Sequence, residues 1–183
     1  GKLEGWDDIR ICTLMALKRR GIKAEAITNF IKDLGVNRNN IDIDMDNLYA
    51  YNRRIVEKSN RYYFVEEPKK IKIKDAPKLT VKVHLHPDDE KRGFREFKTG
   101  DEFYIQDKLE KGRVYRFMHL FNFMDGKFIS KEMDEKLNAK LIHWLPAGKN
   151  LVDVEIKMDD GKIKKGLAEE GIKKLKINDV IQF

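Results

Sequence analysis

The stretch "NRYYFVEEPKKIKIK", Asn60–Lys74, divides the chain. Before it, apolar residues recur at helical spacing. From it onward they alternate with polar residues at period two, the mark of half-buried strands. This change of period predicts an α+β protein, with a helical module over residues 1–64 and a β region over 65–183.

Upstream, Asp7 or Asp8 is placed to cap a helix over Ile9–Arg20, with Lys18, Arg19 and Arg20 in its last turn and Gly21 at its stop. A second helix starts near Ala24, with Ile27, Phe30, Ile31 and Leu34 on one apolar face, and ends at Gly35. "NRNNIDID", residues 37–44, reads as a loop. Asp44 caps a third helix from Met45 to about Lys58, with Leu48, Tyr51 and Ile55 facing inward.

Downstream, "KKIKIK", "LTVKVHLH", "EFYI", "RVYRFMHLFNF", "KLIHW", "VDVEIKM" and "DVIQF" read as strands, separated by "TGD", "EKG", "MDG", "PAG", "DDG" and "IND". Many short strands with regular turns predict one or two small antiparallel β-barrels rather than an open sheet. A short helix is expected over Ser130–Leu137.

Composition limits the chemistry. A single cysteine, Cys12, precludes an intrachain disulfide, and one Cys with four dispersed His argues against a tetrahedral zinc site. No apolar run approaches the ~20 residues that span a bilayer, and no charged-then-apolar leader opens the sequence. An intracellular, soluble, cytoplasmic protein is expected. The chain carries 38 Lys and Arg against 31 Asp and Glu, a net charge of +7. The excess concentrates after residue 67, where 26 basic residues face 20 acidic ones. Such an excess suits a polyanion, although a 38% charged composition is also that of a heat-adapted, ion-paired surface.

Catalytic groupings do not emerge. There is no phosphate-binding glycine loop and no nucleophile elbow. Cys12 is expected on an apolar helical face, as a core residue. His84 and His86 in "HLHP" share one face of a strand without a third ligand in view. Binding is better supported. In "GRVYRFMHLFNF", Arg113, Tyr115, Phe117, His119, Phe121 and Phe123 share one parity, and Arg116 and Met118 the other. Rings beside guanidinium groups on a strand form a platform for unstacked bases, and the same rings also suit a β core. In "KLIHWLPAGKN", residues 140–150, an imidazole and an indole close a strand just before Pro146 and Gly148 bend it.

Four motifs in order, "EGWDDIR…TLMALKRRGIKAEAITNFI", "YNRRIVEKSNRYYFVEEP", "KLIHWLP" and "VIQF", resemble the C-terminal half of the class I glutamyl- and glutaminyl-tRNA synthetases. "NRR…NRYYFV" looks most like the archaeal-type glutamyl enzyme. The resemblance covers essentially the whole chain. It implies a helical connecting module followed by β-barrels of the ribosomal-protein and glutaminyl-tRNA synthetase anticodon-binding type. It also implies an upstream catalytic domain that uses ATP and magnesium, with no cofactor in this part, and a tRNA partner of glutamate type, extending to glutamine type. Both class I signatures are missing, so the sequence reads as a fragment whose last strand, at Phe183, is incomplete.

Carried over position by position, the resemblance implies that Arg61 and Gln182 read the middle anticodon base and Arg116 the first. Met118 stands where the glutaminyl relatives have a second Arg. His119 joins these as an RNA-binding candidate on the aromatic strand. Arg10, Arg19 and Arg20 are candidates for phosphate contact, in competition with interactions at the helix C-terminus. His143 and Trp144 either anchor a junction between barrels or touch the anticodon loop. The alternatives to a glutamate–tRNA ligase part are the same part of a glutaminyl enzyme and a protein-interaction module using a barrel edge.

Overall fold

The structure is a computed structural model and describes residues 2–35 and 42–183. Three helices come first: α1 (Leu14–Arg19), α2 (Ala24–Leu34) and α3 (Met45–Val56). The strands follow as β1 (Asn60–Arg61), β2 (Phe64–Glu66), β3 (Lys69–Lys72), β4 (Thr80–His84), β5 (Phe94–Lys98), β6 (Glu102–Ile105) and β7 (Val114–Phe117). They continue as β8 (Asn122–Met124), β9 (Lys127–Ser130), β10 (Lys140–Ile142), β11 (Leu145–Pro146), β12 (Val152–Lys157), β13 (Ile163–Ala168) and β14 (Ile181–Gln182). The α+β class is as the change of period requires. The chain forms two compact units. One holds the residues up to Asn60 together with Ile156–Lys164 and Val180–Gln182, and the other holds Arg61–Glu155, Lys165–Asp179 and Phe183.

In the helical unit, α1 is shorter than its sequence pattern and is capped by Thr13, not by Asp7 or Asp8. The Asp8 carboxylate is otherwise engaged: it accepts from the backbone N–H groups of Glu4 at 2.9 Å and Arg10 at 3.0 Å, and from Arg10 Nε at 2.9 Å. These bonds hold residues 4–10 in a non-helical turn. Thr13 Oγ1 then accepts from the Ala16 N–H at 3.1 Å and starts the helix. Cys12 therefore precedes the helix and is exposed, rather than lying in the core.

Helix α2 buries Ala26 and Phe30, while Ile31 and Leu34 are exposed, so the buried stripe is rotated from the expected one. Leu17, Ile22, Ala26, Phe30 and Leu48 form the core, with Ile27, Tyr51 and Ile55 packed against it. Asn52 joins α3 to the α1–α2 turn: its side chain accepts from the Lys23 N–H at 2.9 Å and donates to the Gly21 carbonyl at 3.3 Å. Asp44 caps α3 as expected, accepting from the Asp46 N–H at 2.9 Å. Residues 37–41 of the expected loop lie outside the described residues.

The second unit encloses one aromatic core. Trp144, Phe103, Phe117, Phe121 and Phe123 are fully buried, and Tyr63, Phe97 and Tyr115 nearly so. Ring centroids in this cluster lie 4.6–6.1 Å apart, mostly tilted or edge-to-face, the arrangement that aromatic quadrupoles favour. Small sheets surround it: β11-β6-β3, β10-β7-β8-β9, the antiparallel pair β4-β5, and β2 against the Gly166–Ala168 end of β13. Among the described residues these sheets do not join into the closed barrel expected from the sequence, because the short strands pair in separate small sheets with no ladder linking one sheet to the next.

"RVYRFMHLFNF" is two strands. The chain reverses at Met118–Phe121, where His119 takes a left-handed φ of 60° and the Leu120 N–H donates to the Phe117 carbonyl at 2.9 Å. "MDG" forms the next hairpin, with positive φ at both Asp125 (50°) and Gly126 (72°), the backbone of a two-residue type I′ turn. Strand β10 runs parallel to β7, with Lys140 opposite Tyr115. That pairing needs a crossover, and residues 131–139 supply it. The helix expected there is only a single 3-10 turn, Glu135–Leu137, ended by left-handed Asn138.

Two consequences follow from this packing. A Cβ at Gly166 would lie 2.2 Å from the Val65 carbonyl oxygen, inside the β13–β2 pairing. Gly166→Ala should cost about 1–3 kcal/mol of stability, measured by urea unfolding. Asp8 has its carboxyl held well below the usual carboxylate range, first by the Arg10 side chain and then by the backbone N–H groups of Arg10 and Glu4. A depressed folded-state pKa gives stability that is present above the ordinary value of 3.8 and lost as the pH falls below it. Asp8→Asn should therefore lower thermal stability at pH 7 and flatten its decline between about pH 4 and 2.

Candidate RNA-binding site

Arg116 sits on β7 between the buried Tyr115 and Phe117, so the pleat turns its side chain away from the core. Its Nη1 donates to Asn122 Oδ1 at 3.1 Å and to the carbonyls of Lys131 and Glu132 at 3.1 and 3.2 Å. Asn122, fully buried, donates to Ser130 Oγ at 2.8 Å and to the Glu132 carbonyl at 2.7 Å. One edge of the guanidinium fork is thus fixed by protein acceptors, which sets the direction of the rest.

His119 follows at the left-handed turn. Its imidazole is held below its ordinary pKa, first by partial burial and then by the positive charges of Arg116, Arg95 and His84. His143 packs edge-on against Tyr63 at 5.6 Å. Burial lowers its pKa as well, with His119 adding to the shift and Asp107 opposing it. At neutral pH both rings are uncharged, so each offers one donor and one acceptor. His119 thus lies within electrostatic range of Arg116, three positions before it, and of His143, 24 positions after it.

Trp144 is not on that surface. It is fully buried, and its indole N–H donates to the Met118 carbonyl at 2.9 Å. Its rings present no face to a ligand, so of its two candidate roles packing is the one this geometry serves. Arg61 is half-buried, and its backbone N–H donates to the Leu85 carbonyl at 2.7 Å.

The other four candidates belong to the helical unit, where their polar groups meet protein acceptors. Arg10 is ion-paired to Asp8 and also donates to the Lys2 carbonyl at 2.9 Å. Arg19 Nη1 reaches the Asp7 carboxylate at 2.8 Å. Arg20 donates to Tyr49 Oη at 2.8 Å and to the Ile11 carbonyl at 3.1 Å. Gln182 Nε2 donates to the Val56 carbonyl at 2.6 Å, satisfying an open acceptor at the end of α3.

One central residue escaped the reading of the sequence. Arg95 on β5 is 11% exposed and pairs with Glu169, which is 2% exposed, through Nε at 2.5 Å. Its Nη1 donates to the His84 carbonyl at 2.9 Å, and its guanidinium lies 5.3–5.8 Å from the ring centroids of Tyr62, Tyr63 and Phe97. Glu169 also accepts from the Tyr63 N–H at 2.6 Å. Burial raises the Glu169 pKa, against the opposing pull of Arg95. The signal was present in "FREFK", where Arg95 shares the inward parity of Phe97.

Among the described residues no group of three or more His, Cys, Asp or Glu could hold a metal, and no helix is long and apolar enough to cross a membrane. What the unit offers is guanidinium and imidazole groups oriented by a rigid aromatic core.

Residues 59–142 match the family model described as tRNA synthetases class I (E and Q), anti-codon binding domain. Those residues are an anticodon-binding domain of the class I tRNA synthetase family. The whole chain is similar to glutamate–tRNA ligases of archaea: 40% identical to that of Methanocaldococcus jannaschii, 36% to that of Methanosarcina barkeri and 36% to that of Pyrococcus abyssi. All of this chain is covered in each comparison, against 34–35% of the relative. The chain thus spans about a third of the length of the curated relatives it matches. Arg116 and His119 fall within the matched residues, and His143 directly follows them.

Breaking a buried pair leaves the partner charge stranded. Arg95→Met should destabilise the second unit by about 3–5 kcal/mol. The double variant Arg95→Met/Glu169→Gln, which keeps an acceptor for the Tyr63 N–H, should recover part of that loss in urea unfolding. Additive losses would mean that the two side chains act independently.

Proposed function

We propose that this chain is the tRNA-holding part of a glutamate–tRNA ligase and that its second unit recognises the anticodon. The observation that carries this reading is the anticodon-binding domain match at residues 59–142, set within full-length similarity of the chain to glutamate–tRNA ligases. In this reading Arg61 and Arg116, both in that unit, address anticodon bases. His119 and His143, neutral at pH 7, offer hydrogen bonds to base edges beside Arg116. Arg10, Arg19 and Arg20 contribute by keeping the helical unit in shape, and Trp144 by holding the core on which the polar groups stand.

The whole ligase would use ATP and magnesium to activate glutamate and esterify the tRNA 3′ end, in the cytoplasm. That chemistry belongs to a catalytic domain of the same enzyme, consistent with the lack of either class I signature in these 183 residues. The cognate tRNA is of glutamate type. Glutamine-type tRNA shares the middle anticodon uridine, so a pocket that reads this base accepts both.

The test is binding of the chain to a glutamate tRNA transcript and to one with a changed middle anticodon base, at two salt concentrations. Affinity should fall steeply with salt, because phosphate contacts release counterions, and the changed base should weaken binding. Arg61→Ala should remove that discrimination, about 1–3 kcal/mol. Salt-insensitive binding, or none, would overturn the proposal. His143→Ala that weakens binding without lowering the melting temperature would place the imidazole on the RNA.

A further inference from the structure

The second unit contains a cleft of about 840 Å³ that involves none of the residues assigned above to base recognition. Three segments far apart in sequence form it: the end of β5, the loop 146–151 that follows β11, and residues 169–174. The buried Arg95–Glu169 pair joins two of these walls. The third is fixed by the Ala147 N–H, which donates to the Glu102 carbonyl at 3.0 Å. The cleft is therefore built from the protein's own hydrogen bonds and does not need a ligand to form it.

Its charge is unbalanced. The three carboxylates along it are already matched: Glu169 by Arg95, Glu170 by Lys173 at 3.6 Å, and Glu96 by Lys82 at 3.8 Å. Lys98, Lys149 and Lys174 also line it, one from each wall, and all three are exposed. Among the described residues none of the three has a carboxylate partner. A single small anion would gain little from three solvated ammonium groups. A ligand carrying several spaced negative charges would meet all three and release counterions as it bound. Ammonium groups act as point charges without the planar fork that reads base edges. They suit backbone phosphates, which position a nucleic acid without specifying its sequence.

We infer that this cleft is a second, sequence-independent contact with the tRNA, in which Lys98, Lys149 and Lys174 bind backbone phosphates. The inference rests on the tRNA reading above and deepens it: discrimination comes from the arginine and histidine groups, whereas much of the affinity comes from the cleft.

The experiment compares the chain with the triple variant K98Q/K149Q/K174Q over a salt titration, using the glutamate tRNA transcript and the one with a changed middle anticodon base. The control is K69Q/K108Q/K111Q, the same charge change at three exposed lysines that do not line the cleft. Loss of three phosphate contacts should lower the slope of log affinity against log salt by about 2–3 and weaken binding at least ~10-fold near 0.1 M salt. Both transcripts should lose affinity equally, so that the discrimination ratio is kept. Thermal unfolding checks the fold. If the triple variant is destabilised, K149Q alone, on an exposed loop, should lower the slope by about 0.7–0.9. Salt-dependent tRNA binding that the cleft variant weakens no more than the control does would overturn the cleft and leave the tRNA reading intact. Failure of the unaltered chain to bind tRNA would overturn both.

Discussion

The β unit depends on one ion pair. Arg95 and Glu169 are both withdrawn from water, and a pair so placed holds only if the remaining donors and acceptors are also met. Here they are. Glu169 takes the Tyr63 N–H, Arg95 gives a hydrogen bond to the His84 carbonyl, and the guanidinium face is covered by Tyr62, Tyr63 and Phe97. Three stretches far apart in sequence, Tyr62–Tyr63, the paired strands β4 and β5, and Glu169, are thereby tied at one point. A hydrophobic substitute would fill the space, but it would not fix the direction of the Tyr63 backbone.

The position of that tie accounts for how the surface is arranged. Tyr63 carries the edge contact with His143 on one side and stacks on Phe97 on the other, at 5.4 Å. Phe97 leads to Trp144, and Trp144 to Phe103 and Phe117. A close-packed aromatic core is stiff because each ring has only two torsions and several neighbours. Groups that stand on it, such as Arg116 on the outer face of β7 and His119 at the following turn, inherit that stiffness. Preorganised donors lose less entropy when they meet a base than long side chains on a loose loop would.

The basic excess is divided between two kinds of work. Arg10, Arg19, Arg20 and Arg95 spend their forks on carboxylates, carbonyls and a tyrosine hydroxyl within the protein. Lys98, Lys149 and Lys174 stay exposed, without a carboxylate partner among the described residues. This division follows from the side chains: a planar fork satisfies several fixed acceptors at once, whereas an ammonium on a flexible stem is suited to the solvated surface. In the helical unit Arg10, Arg19 and Arg20 all meet protein acceptors.

The sequence by itself determined the elements that rest on local chemistry. The switch of period at Asn60–Lys74, the Asp44 cap, the stop of α2 at Gly35 and the positive-φ "MDG" turn all depend on residues within a few positions of one another. So does the resemblance to the synthetase family, which is a matter of motifs in order. Other features were decided only by tertiary structure. Asp8 did not cap α1 because its carboxylate was taken by Arg10 and two backbone N–H groups. The aromatic strand folded back at His119 because residues of both its arms fill one core. Glu169 met Arg95 from 74 positions further along the chain. Local spacing cannot encode such a meeting: the cost of burying either charge is met only when the fold delivers the other.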